Sequence, residues 1–181
     1  MALDSTFNSL MHDNFSMLEL DDIDLRLLDL LQDDAGLSNQ DLAAAAAVSP
    51  ATALRRVRRL TEAGVVERRI ALLSSERLGA GLQALVEVQL DRQGAEHLDA
   101  FEALAVADAA VQQCLRVSPG PDFVLVLWVA DMATYQALVQ RLFTQHANVR
   151  NVKSYFAVKR AKFQPRIDLR SLRPASAPPG P

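Results

Sequence analysis

The chain has 181 residues, half of them hydrophobic and 23% charged, and its formal net charge is −3. This balance excludes a wholly disordered chain, and no apolar run reaches the ~20 residues that span a bilayer. The first fifteen residues lack the basic flank and apolar stretch of a signal peptide, so we expect a cytoplasmic protein with no membrane partner. The single cysteine, Cys114, excludes an intrachain disulfide, and the three histidines lack ligand spacing. Neither a metal site nor a cofactor is therefore predicted.

Charge is distributed unevenly along the chain. Residues 1–48 hold ten acidic groups and one arginine, whereas residues 49–69 hold six arginines and two glutamates. Residues 159–181 are basic again, with six basic groups and one aspartate. A basic block inside an acidic chain forms a local patch, and such a patch steers polyanions more than the total charge does.

The first elements in chain order predict a helix-turn-helix. Residues 1–19 show no clear period and are predicted to form a flexible N-terminal arm. Periodic apolar residues then predict three short helices, which begin near Asp21 and end at Gly36, run from Gln40 to about Ala47, and run from Pro50 to Ala63. Ser49 suits the N-cap of the third helix and Gly64 suits the position just after its end. Two helices this close in sequence are typical of a helix-turn-helix.

The next residues predict a wing and a linker. Val65–Leu73 is rich in β-prone residues and fits a short hairpin, or wing. Residues 20–73 are therefore predicted to form a winged helix-turn-helix. Residues 74–81 contain serines and glycines that indicate a linker to a second domain.

Residues 82–160 predict an α+β domain with the order β-α-β-β-α-β, the ferredoxin-like sandwich. Its predicted segments are Leu82–Leu90, Gly94–Val106, Val111–Ser118, Phe123–Val129, a helix capped by Asp131, and Asn151–Val158. Because Phe123–Val129 is continuously apolar, it is predicted to be covered on both faces. Residues 161–181 are basic and then proline-rich, which predicts a mobile C-terminal tail.

The third predicted helix carries the strongest functional signal. At about 100° per residue, one face holds Ala53, Leu54, Val57 and Leu60. The opposite face is centred on Arg55 and Arg59, with Thr52 beside them and Arg56 and Arg58 on the flanks. The major groove of DNA accepts a narrow helix that carries guanidinium groups, so double-stranded DNA is the predicted partner. The alternative is a solvated basic face that pairs with the acidic first helix.

The chain resembles the Lrp/AsnC family, the leucine-responsive or feast/famine transcriptional regulators of bacteria and archaea. The matching stretches are LDDIDLRLLDLLQDDAGLSNQDLA from Leu20, VSPATALRRVRRLTEAGVV from Val48, and VQQCLRVSPGPDFVLVLWVADMATYQAL from Val111. Together they cover about residues 20–160. The resemblance implies a winged helix-turn-helix joined to an αβ sandwich that mediates dimers and often octamers, and that binds amino acids or related small molecules between subunits.

The arginine face of the third helix gives the DNA-binding candidates, and the resemblance implies where an effector binds. The DNA-binding candidates are Ser49, Ala51, Thr52, Arg55, Arg56, Arg58, Arg59 and Arg68. Of these, Ala51, Thr52 and Arg55 are expected nearest the bases of a pseudo-palindromic site, and the remaining arginines nearest the phosphates. The effector candidates are Ser118, Gly120, Asp122 and Phe123 at one turn, and Ser154 on the last strand. The chain departs from the family in holding Pro119 at the usual glycine position, and the alternative is a tight hairpin turn that binds no ligand.

Other functions stay open at this point. Sirohaem decarboxylases share a similar architecture but carry a His-Asn-Tyr-like cluster, whereas this chain reads Gln112-Gln113-Cys114-Leu115 in that region. A regulatory subunit that no longer binds DNA is a further alternative, against which the arginine face argues. Cys114 is predicted to be a small buried residue, and Trp128 is predicted to pack in a subunit interface.

Overall fold

The computed structural model of the chain describes residues 18–75, 77–79, 81–146 and 148–169. The predicted N-terminal arm lies outside these residues, apart from Leu18 and Glu19. The chain divides into two compact units, one comprising Met1–Ala71 with Gln164–Pro181 and the other comprising Leu72–Phe163.

The described part of the first unit holds three helices, as predicted: α1 (Asp22–Asp33), α2 (Asn39–Ala45) and α3 (Pro50–Glu62). Each begins after a short polar residue whose side chain accepts a backbone hydrogen bond, namely Asp21, Ser38 and Ser49. The Asp24 carboxylate in turn accepts from the backbone nitrogen of Asp21 at 3.2 Å, which completes a capping box. Gly64 follows α3 with a φ of 75°, the left-handed conformation that suits a helix end.

Small side chains bring α2 and α3 together. Ala43, Ala46 and Ala53 are buried in one apolar cluster with Leu27 and Val57. The turn between the helices is further fixed by Asn39, whose side-chain Nδ2 donates to the carbonyl oxygen of Pro50 at 2.9 Å. Helix α3 is therefore anchored by its apolar side, and its opposite side faces solvent.

The predicted hairpin at Val65–Leu73 does not form. The described residues from Val65 to Ser75 contain no strand, and most of them are exposed, including the apolar Ile70 and Leu72. The physical reason is visible in the sequence, because this stretch has β-branched residues but no Asn-Gly or Gly-containing turn to reverse the chain. β-propensity without a turn predicts an extended segment and not a hairpin.

The C-terminal residues pack on α1. The side-chain Nε2 of Gln32 donates to the carbonyl oxygen of Ile167 at 3.2 Å, and the backbone nitrogen of Ile167 donates to Gln32 Oε1 at 2.8 Å. The guanidinium of Arg166 contacts the carboxylates of Asp29 and Asp33. These contacts join residues more than 130 positions apart in sequence.

A buried leucine completes this attachment. Leu169 is 7% exposed and lies in a cluster with Leu25, Leu28 and Leu60. The structure therefore corrects the prediction of a mobile tail from residue 161. Residues 166–169, here called the C-terminal strap, are held against the first unit, and residues 170–181 lie outside the described residues.

The second unit contains a four-stranded antiparallel sheet among its described residues, in the ferredoxin-like order β2-β3-β1-β4. Its elements are β1 (Leu82–Leu90), α4 (Ala95–Ala107), β2 (Val111–Arg116), β3 (Phe123–Val129), α5 (Met132–Val139) extended by a π-helical turn (Gln140–Thr144), and β4 (Val149–Phe156). The predicted order β-α-β-β-α-β and the α+β fold class are confirmed. Asp131 caps α5 by accepting from the backbone nitrogen of Thr134 at 2.7 Å.

The two faces of the sheet differ. The helix face carries the alternate residues of β1 and β3 that are buried with Phe101 and Leu138 of the helices. The open face carries the residues between them, which are only half-buried or exposed: Leu85, Glu87 and Gln89 of β1, Val124, Val126 and Trp128 of β3, and their neighbours Asn151, Lys153 and Tyr155 of β4. The prediction that β3 is covered on both faces is therefore wrong for the single chain.

Trp128 has a specific neighbour on the open face. Its ring lies against Gly81, where an added Cβ would come within 2.3 Å of ring carbon Cζ2. Gly81 therefore leaves the room that this ring occupies. That Trp128 packs in a subunit interface stays a prediction.

Candidate DNA-binding helix and effector turn

The solvent-facing side of α3 presents a short apolar and basic surface. Ala51, Leu54, Arg55 and Arg58 are exposed along it. Leu54 is 60% exposed, so its predicted place on the buried face is wrong. It sits one step beyond the edge of the apolar stripe formed by Ala53, Val57 and Leu60, which alone contact the core. The apolar side chain of Leu54 suggests a place in the core. Its angular position on the helix, however, lies outside the stripe of buried residues.

The start of α3 is held by its own hydroxyl groups. Ser49 Oγ accepts from the backbone nitrogen of Thr52 at 3.2 Å and lies 2.9 Å from Thr52 Oγ1. Ser49 and Thr52, which are two of the predicted DNA-binding residues, therefore both take part in the helix cap. Their first function in this chain is to fix where α3 begins.

Two of the four arginines of α3 pair with α1. Arg56 Nη1 lies 2.7 Å from Asp21 Oδ2 and 2.9 Å from Asp24 Oδ1, and Arg59 donates to the second oxygen of Asp24. Asp24 is 1% exposed and Arg56 only 18% exposed on its side chain. The prediction that four arginines of α3 are all free to bind DNA is thus corrected. Arg56 and Arg59 pair with the acidic first helix, as the alternative in the sequence analysis stated.

These contacts shift the protonation of the groups involved. The backbone hydrogen bond from Asp24 and the Arg56 guanidinium lower the pKa of Asp21 below its ordinary value of 3.8. Hydrogen bonds to Asp21 and then to Asp24 raise the pKa of Arg56 above its ordinary value. The interface between α1 and α3 is therefore a fixed network of charges. The sequence offered this pairing with the first helix only as the alternative, and it gave no role in it to Asp21 beyond the helix start.

The other basic residues remain available. Arg55 is exposed, and no hydrogen bond or ion pair to it occurs in the described part of the chain. Arg68, after α3, is exposed in the same way. Arg58 donates to Glu62 at 2.7 Å, and because 77% of its side chain is exposed this pair is open to solvent and readily exchanged.

The predicted effector turn is a tight connection between β2 and β3. Gly120 has a φ of 131°, which a residue with a side chain rarely adopts. Asp122 closes the turn: its backbone nitrogen donates to the Val88 carbonyl at 2.9 Å, and its Oδ2 accepts from the Leu90 backbone nitrogen at 2.7 Å. The Asp122 carboxylate thus has a structural partner in β1.

Two of the predicted effector residues lie elsewhere. Phe123 is fully buried on the helix face, with its ring 4.9 Å from that of Phe101. Ser154 also points to the helix face, where it hydrogen-bonds with the hydroxyl of Tyr135. The structure therefore keeps Ser118, Gly120 and Asp122 at the turn, whereas the side chains of Phe123, the next residue in the chain, and of Ser154 point to the helix face.

A polar cavity of about 220 Å³ adjoins the turn on the open face. It is lined by Glu87, Gln89, Gly120, Pro121, Asn151 and Lys153. Sequence reasoning missed the four residues on β1 and β4. The available signal was the alternation of polar with buried apolar residues in β1, which marks side chains that face away from the core.

Family models and relatives match both units. A winged helix-turn-helix DNA-binding model matches residues 20–67, and the Lrp/AsnC ligand binding domain model matches residues 83–167. The chain is 38% identical over 143 residues to the Bkd operon transcriptional regulator of Pseudomonas aeruginosa, covering 79% of this chain and 94% of that protein. It is 36% identical to the leucine-responsive regulatory protein of Rhizobium meliloti, covering 80% and 93% of the two chains.

Solved structures agree with the fold. A Neisseria meningitidis transcriptional regulator in complex with L-Met has a TM-score of 0.79 at 30% identity, covering 86% of this chain and all of that one. An AsnC family regulator from Agrobacterium tumefaciens has a TM-score of 0.78 at 28% identity, covering 85% of this chain and all of that one. Among the residues that the structure describes, no helix is long and apolar enough to cross a membrane.

Proposed function

This chain belongs to the Lrp/AsnC family and is a DNA-binding transcriptional regulator, and we propose that it reads DNA with the exposed side of α3. The observation that supports this is the exposure of Ala51, Leu54, Arg55 and Arg58 on one side of a helix whose other side is anchored. Arg55 has no partner in the described chain and is placed nearest the bases, where a guanidinium pairs with guanine. Leu54 and Ala51 offer apolar contact to thymine methyl groups.

The remaining basic residues contact the phosphates in this proposal. Arg58 exchanges Glu62 for a phosphate, and Arg68 lies after the helix where the backbone of the adjacent groove passes. Arg56 and Arg59 act differently, because their guanidinium groups are held by Asp21 and Asp24. We assign them to orienting α3, with the half-exposed Arg59 also adding positive charge at the DNA surface.

The test compares Arg55→Ala with Arg58→Ala in mobility shifts on DNA from upstream of the protein's own gene. Arg55→Ala should change base preference at one position of each half-site. Arg58→Ala should weaken binding to all sequences and lower the salt slope by about one unit. Arg92→Ala removes an exposed arginine of the second unit and serves as the control. Wild-type binding by both α3 variants would overturn the assignment of the reading helix.

An amino acid or related small molecule is the proposed effector of the second unit. The support is the match to the Lrp/AsnC ligand binding domain model and the similarity to the Neisseria meningitidis regulator, whose complex contains L-Met. The Gly120 turn, with Asp122 and Ser118, forms one wall of the proposed site. Calorimetry with the twenty amino acids tests this, and no heat from any of them would overturn it.

The assembly in this proposal is a homodimer that associates into octamers and acts in the cytoplasm, where DNA is accessible. Its interface is the apolar end of the open face, where the side chains are only partly buried within the single chain: Leu85, Val126, Trp128 and Tyr155. A dimer presents two copies of α3, which matches a pseudo-palindromic site. The decarboxylase alternative receives no support from the relatives described above, which are regulators. An absorbance scan for a bound tetrapyrrole tests this alternative directly.

A further inference from the structure

The chain between the last strand and the C-terminal strap is exposed and basic. Strand β4 ends at Phe156, and residues 157–165 are exposed and form no helix or strand. The sequence holds no acidic residue from 132 to 167, so no counter-charge lies nearby along the chain. Three basic residues cluster within 159–162, here called the basic segment: Lys159, Arg160 and Lys162.

The cations of the basic segment also lack an acidic partner in the fold. Within the described ranges of the chain, no hydrogen bond or ion pair engages any basic side chain of the segment. The Arg160 guanidinium packs over the ring of Phe163, with Cζ 5.1 Å from the ring centroid, and this contact leaves its positive charge uncompensated. Arg166, by contrast, is paired with Asp29 and Asp33 of α1. The acidic surface of α1 therefore compensates the charge of the strap and not that of the basic segment.

The strap keeps the basic segment close to the first unit. Three residues separate Lys162 from Arg166, so their Cα atoms lie within about 14 Å of each other. Arg166 and the buried Leu169 attach the strap to the unit that contains α3. This short tether holds three uncompensated cations near the DNA-binding unit.

The form of the basic segment restricts the partner. Its cations are spread over about 10 Å of extended chain, which suits a polymer with repeated negative charges better than a small anion. A DNA duplex carries one negative charge for every ~1.7 Å of its axis. Exposed lysine and arginine side chains on an extended chain bind such phosphates without reading bases.

The duplex that α3 binds continues on both sides of the bases that α3 covers. The phosphates of this flanking DNA are therefore the polyanion nearest to the tethered segment. We propose that Lys159, Arg160 and Lys162 bind the phosphates of the double-stranded DNA that flanks the site read by α3.

This inference rests on the proposed reading of DNA by α3 and adds a second contact to it. The test is the salt dependence of mobility shifts with the full-length protein on the upstream DNA. Lys159→Gln combined with Lys162→Gln should lower the slope of log affinity against log salt by about 1.8 for each bound copy, because each phosphate contact contributes about 0.9. Adding Arg160→Gln should lower it by a further ~0.9, and affinity at low salt should then fall at least about tenfold.

Two control variants separate this contact from general charge. Arg92→Gln combined with Arg150→Gln removes two exposed arginines of the second unit outside the segment and should leave the slope unchanged. Lys159→Arg combined with Lys162→Arg keeps the charge and should retain the wild-type slope. Every variant retains Arg166 and Leu169, so thermal melting should match the wild type.

Hydroxyl-radical footprinting locates the contact on the DNA. The wild type should protect sugars beyond each half-site, and the glutamine variants should lose this outer protection while keeping protection within the half-sites. Base preference should stay as in the wild type, because phosphate contacts carry no sequence information. The same loss of slope is expected on an unrelated duplex, since the contact does not depend on sequence.

The failure of this inference is distinguishable from the failure of the proposed function. A wild-type slope in the triple glutamine variant would overturn the inference, as would a change in its base preference or the loss of protection within the half-sites alone. Wild-type binding by Arg55→Ala and Arg58→Ala would overturn the reading helix instead. The slope on unrelated duplex would still decide whether the basic segment binds phosphates.

Discussion

Asp24 lies between α1 and α3 and receives hydrogen bonds from both helices. Its carboxylate accepts from the backbone nitrogen of Asp21 and from the guanidinium groups of Arg56 and Arg59. A buried carboxylate is costly unless such partners satisfy it, and here the partners come from the helix that is proposed to read DNA. The orientation of α3 thus depends on one acidic side chain of α1.

We predict that Asp24→Asn destabilises the first unit by about 2 kcal/mol, because the amide keeps the volume but leaves Arg56 without its buried counter-charge. Hydrogen exchange of the α3 amides should speed up accordingly, and peptides of β1 should be unchanged. Glu62→Gln breaks the exposed pair with Arg58 and is the matched control, with an expected cost of at most about 0.5 kcal/mol. Equal effects of the two variants would contradict the importance of burial.

Asp21 makes the same interface sensitive to acid. Its pKa is lowered in the folded protein, chiefly by the backbone hydrogen bond from Asp24 and then by Arg56. A carboxyl group whose folded pKa lies below the unfolded value stabilises the fold fully above that unfolded value, and this contribution is lost as pH falls through the folded pKa. The window therefore begins near pH 3.8 and extends downward.

Asp21→Asn should flatten this acid dependence while keeping the helix cap, because asparagine caps as well as aspartate. The measurement is hydrogen exchange or urea unfolding of the first unit at several pH values between neutral and about pH 3. Glu67→Gln, at an exposed acid outside the network, should leave the slope as in the wild type. A wild-type slope in Asp21→Asn would show that other carboxyl groups determine acid unfolding.

The residue-level prediction from sequence succeeded for caps and failed for partners. Ser49, Pro50 and Gly64 have local preferences that fix a helix end without reference to the rest of the chain. The partners of Arg56 and Arg59 depend instead on which residues of α1 face them. Predicting those partners requires the packing angle between the two helices. For the same reason Phe123 and Ser154, placed by family resemblance at an effector site, turned out to face the core.

At the scale of elements, the C-terminal strap adds to a small core. The first unit has few large buried side chains, and Leu169 contributes one of them beside Leu60 of α3. The ion pairs of Arg166 with Asp29 and Asp33 lie partly in solvent and contribute less. Burial of Leu169 is therefore expected to dominate the energy of this attachment.

Leu169→Ala should accordingly destabilise the first unit by about 2 kcal/mol. Arg166→Ala, three residues earlier in the same strap, should cost less than about 1 kcal/mol. Hydrogen exchange of α1 and α3 amides measures both, and a full-length chain carrying Leu169→Ala should also lose affinity for DNA as α3 loosens. If Leu169→Ala exchanges like the wild type, the strap does not support the helices in solution.

The prediction of helices and strands was most accurate in long segments with regularly spaced apolar residues. The helices of both units and the strand order of the second unit followed from apolar spacing and turn residues. The strap was missed because proline-rich, basic composition after it dominates the local pattern, while its partner lies far away in sequence. The winged helix-turn-helix domain is confirmed by the model that matches residues 20–67. The hairpin over Val65–Leu73 was predicted from β-propensity alone, and propensity without a reversing turn does not make a hairpin.

At the scale of the whole molecule, the open face has two ends of different chemistry. One end is apolar, with Leu85, Val126, Trp128 and Tyr155, and the other carries Glu87 and Lys153 around the polar cavity. A continuous apolar patch beside a polar region is typical of an interface between copies. The apolar run of β3 already indicated in the sequence that both sides of this strand are covered. Only one side is covered within the single chain, so a second copy is needed for the other.

We predict that a second copy covers the apolar end, so that the protein is at least a dimer at micromolar concentration by light scattering. Leu85→Glu places a charge at the centre of this patch, opposite Val126 and Tyr155. It should dissociate the dimer and reduce DNA affinity well beyond the loss of one contact, because two linked copies of α3 bind with a high effective concentration. Gln136→Glu adds the same charge on the outer side of α5 and should leave mass and affinity unchanged. A monomeric wild type, or a Leu85→Glu variant with wild-type mass, would mean that the copies associate through another surface, and the two-fold reading of DNA would then need a different geometry.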